Sequence, residues 1–224
     1  MDFDAVLAMV QAHADERKAQ GMRAYMRDQF EFLGVATPVR RASTRPVLRE
    51  ARNDGRSRGN EAVDWLFIHK CWDCEYRELQ YVAIDYLLAM VKWLDADDLD
   101  RVAEMAKVKP WWDTVDGLAG VVSRVVRAHR DFSEKMVTWS VDENMWVRRM
   151  AIEHQLGYKA ETDEALLERI ILDNVGGSEF FINKAIGWAL RDYSKTNPAW
   201  VSAFIERHGD KLAALSIREG SKYV

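Results

Sequence analysis

The chain has 224 residues, 48% of them hydrophobic and 30% charged, with a formal net charge of -4. That is enough apolar material to close a core. With 12 Gly and 4 Pro, a disordered, collagen-like or turn-rich all-β chain is excluded, and the acidic balance argues at first sight against a nucleic-acid partner.

The N-terminal MDFDAVLAMV carries Asp where a signal peptide carries Lys or Arg. No apolar run reaches membrane-span length, so a cytoplasmic protein with no membrane partner is expected. Helical periodicity dominates from there. Ala5, Met9 and Ala12 recur at three- and four-residue steps, as do Val82, Tyr86 and Met90, then Val115, Leu118, Val122 and Val125. Breaks fall at 34–37, 53–59, 94–97, 109–110, 129–131, 142–144, 157–162, 176–177 and 196–198. Thr37-Pro38 and Asn197-Pro198 each place a capping residue before a Pro at the first helical position. Asn144 and Ser178 are further candidate caps, and Pro46 predicts a kink or a split. The pattern predicts an all-α fold of about twelve short helices, paired antiparallel and recurring near the length of HEAT-type repeats. The expectation is one HEAT-like superhelical solenoid domain spanning 1–224, whose concave surface is free to bind.

Charge varies along the chain. Residues 1–60 carry net +3, 61–120 net -7, 121–180 net -3 and 181–224 net +3. In the first basic segment, Arg41, Arg45, Arg49 and Arg52 fall at helical spacing, as either a solvated face or a phosphate rail. Cys71 and Cys74 have redox spacing, but no βαβ pattern or second Cys pair accompanies them, and the five His show no metal-ligand spacing. His154 reads as a core or helix-face histidine. No metal or organic cofactor is expected.

Three later stretches carry candidate chemistry. On a helix starting near Pro110, Trp111, Val115, Leu118, Val122 and Val125 make the buried stripe. Beside it run Trp112, Asp116, Gly120, Arg124 and Arg127, with Trp112 and Asp116 one turn apart and Ala119 and Gly120 leaving space. This is either a half-buried Trp with a solvated Asp, or an aromatic wall with a working carboxylate. In DENMWVRRMAIEHQL, Arg148 and Arg149 stand early in a helix, where the dipole disfavours cations. Asp142 and Glu143 offset that, or an Arg there meets an external anion. In SEFFINKAIGWALRDYSKTNP, Lys184, Trp188, Arg191 and Lys195 share one face bordered by Gly187, while Ile182, Ala185, Ile186 and Ala189 fill the core. That line suits either a polyanion or a Trp shielded by long basic stems.

Together WWDTVD (111–116), the Asn144-x-Trp146-x-x-Arg149 pattern and EFFINKAIGWALRDYSKTNP (179–198) resemble the AlkD-type DNA alkylation repair family, HEAT-like-repeat DNA glycosylases. AYMRDQFEFLGVATPVRR (24–41) is similar as well. The resemblance implies hydrolysis of the N-glycosidic bond of cationic N3- and N7-alkylpurines in double-stranded DNA, probing the lesion without flipping it and without Schiff-base lyase chemistry. It implies Asp116 as the catalytic carboxylate, Trp112 and Trp188 as sugar-flanking aromatics, and Arg149 on a nearby phosphate. Arg148, Lys184, Arg191, Lys195, Arg124, Tyr25 and Arg41 complete the expected DNA-binding set. A monomer is expected. The competing readings are a non-catalytic HEAT-like scaffold for damaged or branched DNA, and a protein-interaction solenoid.

Overall fold

The computed structural model describes residues 1–59 and 62–224. Its described residues form thirteen α-helices joined by short 3-10 turns, with no strand beyond one isolated bridge between Glu31 and Tyr76. The fold is all-α, as the periodicity predicts. None of the described helices is long and apolar enough to cross a membrane. Two compact units are delimited, Met1–Asp95 and Ala96–Val224, where the sequence suggested one domain.

The first unit holds α1 (Phe3–Gln11), α2 (Glu16–Tyr25), α3 (Thr37–Arg58), α4 (Trp65–Asp73) and α5 (Arg77–Met90). Asp2, Asp15 and Asp64 cap α1, α2 and α4 through their side chains. The connection before α3 is held from α5. The buried Glu78 carboxylate accepts the amides of Leu33 at 3.0 Å, Gly34 at 2.8 Å and Val35 at 3.0 Å. Gly34 has φ 83°, and a Cβ there would fall 2.1 Å from the Asp15 carbonyl oxygen, so only glycine fits.

Helix α3 differs from expectation in three ways. Ala36, not Thr37, is its N-cap, so Pro38 sits one place deeper than predicted. It runs as one element through Pro46, and it continues through the predicted break at 53–59 as far as Arg58. Gly55 explains the last point. It is buried, and a Cβ there would meet Met90 at 3.0 Å and Trp93 at 3.1 Å, so it serves close packing rather than termination.

The second unit holds α6 (Ala96–Lys107), α7 (Trp112–Ala128), α8 (Ser133–Ser140), α9 (Met145–Glu153), α10 (Glu164–Leu172), α11 (Phe180–Ser194), α12 (Pro198–His208) and α13 (Ala214–Gly220). Asn144 caps α9 by accepting from Trp146 N at 2.9 Å, and Asn197 caps α12 by accepting from Trp200 N at 3.1 Å, both as expected. Glu179 rather than Ser178 precedes α11. Val115, Leu118, Val122 and Val125 of α7 are fully buried, as are Ala185 and Ile186 of α11. His154 is a core histidine. Its Nδ1 pairs with Ala151 O at 2.6 Å, and burial pushes its pKa down to about 4.

Candidate active site

Trp111, extended at the N-terminus of α7, leaves the helix to join an aromatic cluster with Phe181 at 5.1 Å and Trp146 at 6.1 Å between ring centroids. That cluster seats the start of α7 beside α9 and α11. One turn of α7 then presents Trp112 and Asp116 on its half-exposed flank. A Cβ added at Gly120, one turn further on, would meet nothing within 4 Å, so this flank is open there, whereas Ala119, expected to leave space beside it, is buried in the core.

Asp116 is not loose in that space. Arg149 Nε donates to its Oδ1 at 2.8 Å and Arg149 Nη2 to its Oδ2 at 3.1 Å, a bidentate grip that fixes the plane of the carboxylate. Asp116 keeps 26% of its side chain exposed while Arg149 keeps 1%. The remaining terminal nitrogen, Nη1, donates to the Phe181 carbonyl at 2.6 Å. The Arg149 Cζ lies 5.4 Å from the centroid of the Trp188 ring. One buried guanidinium therefore joins Asp116 on α7, the first turn of α11 and the expected second aromatic wall.

Beneath it is a residue that the sequence reading passed over. Glu153, one turn after Arg149 on α9, has its Oε1 2.8 Å from Arg149 Nη2, and both side chains are 1% exposed. The contact is close but not aligned, and Oε1 has no hydrogen-bond partner. Burial, then the charge of Asp116, raise the Glu153 carboxyl well above the usual carboxylate range. Arg149 pulls the other way, and a hydrogen bond to the Asp116 side chain adds to the rise. The Arg-x-x-x-Glu spacing was a visible signal for this pair.

A sequence model of DNA alkylation repair enzymes matches residues 6–224. The chain belongs to the DNA alkylation repair enzyme family. A solved structure of a predicted DNA alkylation repair enzyme from Enterococcus faecalis is 34% identical, with a TM-score of 0.83 over 95% of this chain and 97% of that one. No curated protein matches the chain. Membership makes this an enzyme of DNA alkylation repair and makes DNA its substrate.

Among the residues expected to touch DNA, the structure of this chain separates those engaged internally from those that are exposed. Arg149 was expected on a phosphate, but its position one turn into α9 turns it toward α7 and α11, where all its nitrogens are engaged. Arg148 is likewise committed internally. It donates to Asn174 Oδ1 at 3.1 Å, to the Asp142 and Glu143 carbonyls at 2.9 and 3.1 Å, and to the Glu179 carboxylate at 2.6 Å. It ties the start of α9 to the α10–α11 connection. Lys184 and Arg191 share one partner, Glu219 of α13, at 3.0 and 3.6 Å. Glu219, held below its usual pKa first by its bond from Lys184, gives no sequence signal, since it lies 35 positions from that lysine. Arg124 and Lys195 are exposed, Lys195 lying 3.6 Å from Asp192.

Tyr25 and Arg41 belong to the first unit. Tyr25 is exposed at the end of α2. Arg41 donates to Asp85 of α5 at 3.0 Å and, with Arg45, Arg49 and Arg52, lines an open groove of about 400 Å³. Cys71 is buried, and burial raises its thiol pKa, away from thiolate chemistry. Among the described residues no group of three or more His, Cys, Asp or Glu is arranged to hold a metal.

Proposed function

We propose that this chain is a monofunctional DNA glycosylase that hydrolyses the N-glycosidic bond of cationic N3- and N7-alkylpurines in duplex DNA. The observation that carries the reading is Asp116. It is a carboxylate held by two hydrogen bonds, partly open to solvent, on the same helical flank as Trp112, with Trp188 beside the arginine that grips it. An alkylated purine is already a cation and leaves readily. Its departure puts positive charge on the sugar, as in glycoside hydrolysis. A carboxylate fixed in advance stabilises that charge without reorganising, and its unused lone pairs can orient the attacking water. Trp112 and Trp188 offer ring faces to the same charge. The bidentate bond to Arg149 spends part of the negative field of Asp116 on orientation. The cationic lesion supplies the leaving-group activation that a neutral base would need from an acid.

The open flank beside Gly120 suits a lesion that stays within the duplex instead of entering a pocket. No lysine belongs to the reacting set, so Schiff-base strand cleavage is not part of the proposal. The exposed Arg124 and Lys195, with Lys184 and Arg191 once they leave Glu219, are proposed to bind the phosphates as a monomer engages its site.

The test is release of free base from a duplex carrying 7-methylguanine. Wild-type protein is expected to release it, and Asp116→Asn to slow the single-turnover rate about 100-fold, the scale of losing one preorganised electrostatic partner. No release by wild type, or an Asp116→Asn protein as fast as wild type, sinks the reading. Tight binding of the damaged duplex with no release would favour the scaffold.

A further inference from the structure

Glu153 is the member of the cluster that the chemistry at Asp116 does not itself require. A carboxyl group buried to this degree is costly unless something compensates it. It stands one turn from Arg149 on α9, so the two side chains leave the helix on the same side. The Arg149 guanidinium then has Asp116 along one edge, the Phe181 carbonyl at Nη1 and Glu153 Oε1 2.8 Å from Nη2. Nη2 aims its hydrogen bond at Asp116 Oδ2, not at Glu153. Glu153 thus backs the guanidinium without competing for the bond that aims Asp116. The raised pKa fits that role. Burial and the nearby Asp116 disfavour its charged form, and a fully charged second carboxylate would draw the guanidinium inward, away from Asp116.

We propose that Glu153 is a positioning residue for the reaction at Asp116, holding the Arg149 guanidinium in the register that aims both carboxylate oxygens. This rests on the role of Asp116 proposed above. An apolar residue of similar size would fill the space but would leave Nη2 facing hydrocarbon, and the guanidinium would be free to turn. A side-chain amide keeps both the shape and a polar edge.

The test compares wild type, Asp116→Asn, Glu153→Met and Glu153→Gln. Two quantities are read: the single-turnover rate of 7-methylguanine release at saturating enzyme, and the dissociation constant for the same duplex carrying an abasic analogue. Glu153→Met is expected to remain folded, with a lowered melting temperature, and to release base about 10- to 100-fold more slowly, the scale of a small misplacement of a reacting group, with the dissociation constant changed less than about 3-fold. Glu153→Gln is expected to stay within about 3-fold of wild type in both. A Glu153→Met protein at the wild-type rate, one that no longer folds, or a Glu153→Gln protein as slow as Glu153→Met would each overturn the inference while leaving the glycosylase reading intact. Absence of release by wild type would overturn both.

Discussion

In the reaction proposed above, Asp116 would have to be anionic, oriented and reachable, and burial in a helical fold opposes the first and third of these. The solution is to bury the arginine and leave the aspartate at the edge, with 1% and 26% of the two side chains exposed. The cost of desolvation then falls on a guanidinium with three acceptors around it. Glu153 adds a pH signature to this arrangement. Its folded-state pKa is raised above the usual 4.5, so the stability of its protonated form is full below pH 4.5. That stability drains as pH rises from there and is lost once pH passes the raised folded value. Glu153→Gln has no proton to lose. The melting temperature of the variant should therefore rise relative to wild type as pH increases above 4.5. Calorimetric melting curves across pH 4.5 to about 9 that run parallel would show that Glu153 titrates alike in both states. At this scale the shared flank of Trp112 and Asp116 was legible, because residues one helical turn apart lie on one face. The direction of Arg149 was not, because two adjacent arginines look alike in sequence and only the packing of α9 decides where each points.

The packing of α11 against α13 determines how the basic line beside Trp188 is presented. Gly187 is the contact point. A Cβ there would fall 2.7 Å from Glu219 Cβ and 3.3 Å from Ser216 Cα. These atoms are too close to the main chain to move cheaply. Gly187→Ala gains about 1 kcal/mol of helix propensity, but a contact this short overpacks at the upper end of the usual range, about 2 to 3 kcal/mol, so net destabilisation of about 1 to 2 kcal/mol is expected. Urea unfolding checks this, and an equal or higher midpoint for the variant would contradict it. Two caps, Asn144 and Asn197, were readable because each is a local hydrogen bond written in adjacent residues. The end of α3 was not. Asn53, Asp54 and Gly55 carry the local signature of a break, and packing of Gly55 on Met90 and Trp93 overrides it.

For the whole molecule, the net charge of -4 conceals how the cations are spent. Many are paired internally: Arg148 with Glu179, Arg127 and Arg130 with Glu161, Lys184 and Arg191 with Glu219. On the binding mode proposed above, duplex DNA would have to compete with those carboxylates. Affinity for a labelled duplex should fall with salt, with a log–log slope of about -0.9 for each phosphate neutralised. Glu219→Gln, which releases Lys184, Arg191 and Lys222, should bind more tightly than wild type at the same ionic strength. A salt-independent affinity, or weaker binding by that variant, would rule out this use of Lys184 and Arg191. The all-α class was legible from periodicity alone, because helix faces repeat along the chain. The pairing of charges was not, because its partners lie about 30 positions apart and have no local mark.

Glu78 bears on how freely the chain can be altered. Connections between helices are ordinarily where extra residues are tolerated. The stretch 33–35 lies in such a connection, yet three successive amides there donate to the buried Glu78 carboxylate. One residue spliced into it would displace at least one donor and strand part of a charge among apolar side chains. The left-handed turn at Arg27 and Asp28, a few positions earlier, is exposed, and the backbone bonds of these two amides run to near neighbours, to the Ala24 carbonyl at 3.1 Å and the Arg23 carbonyl at 2.8 Å.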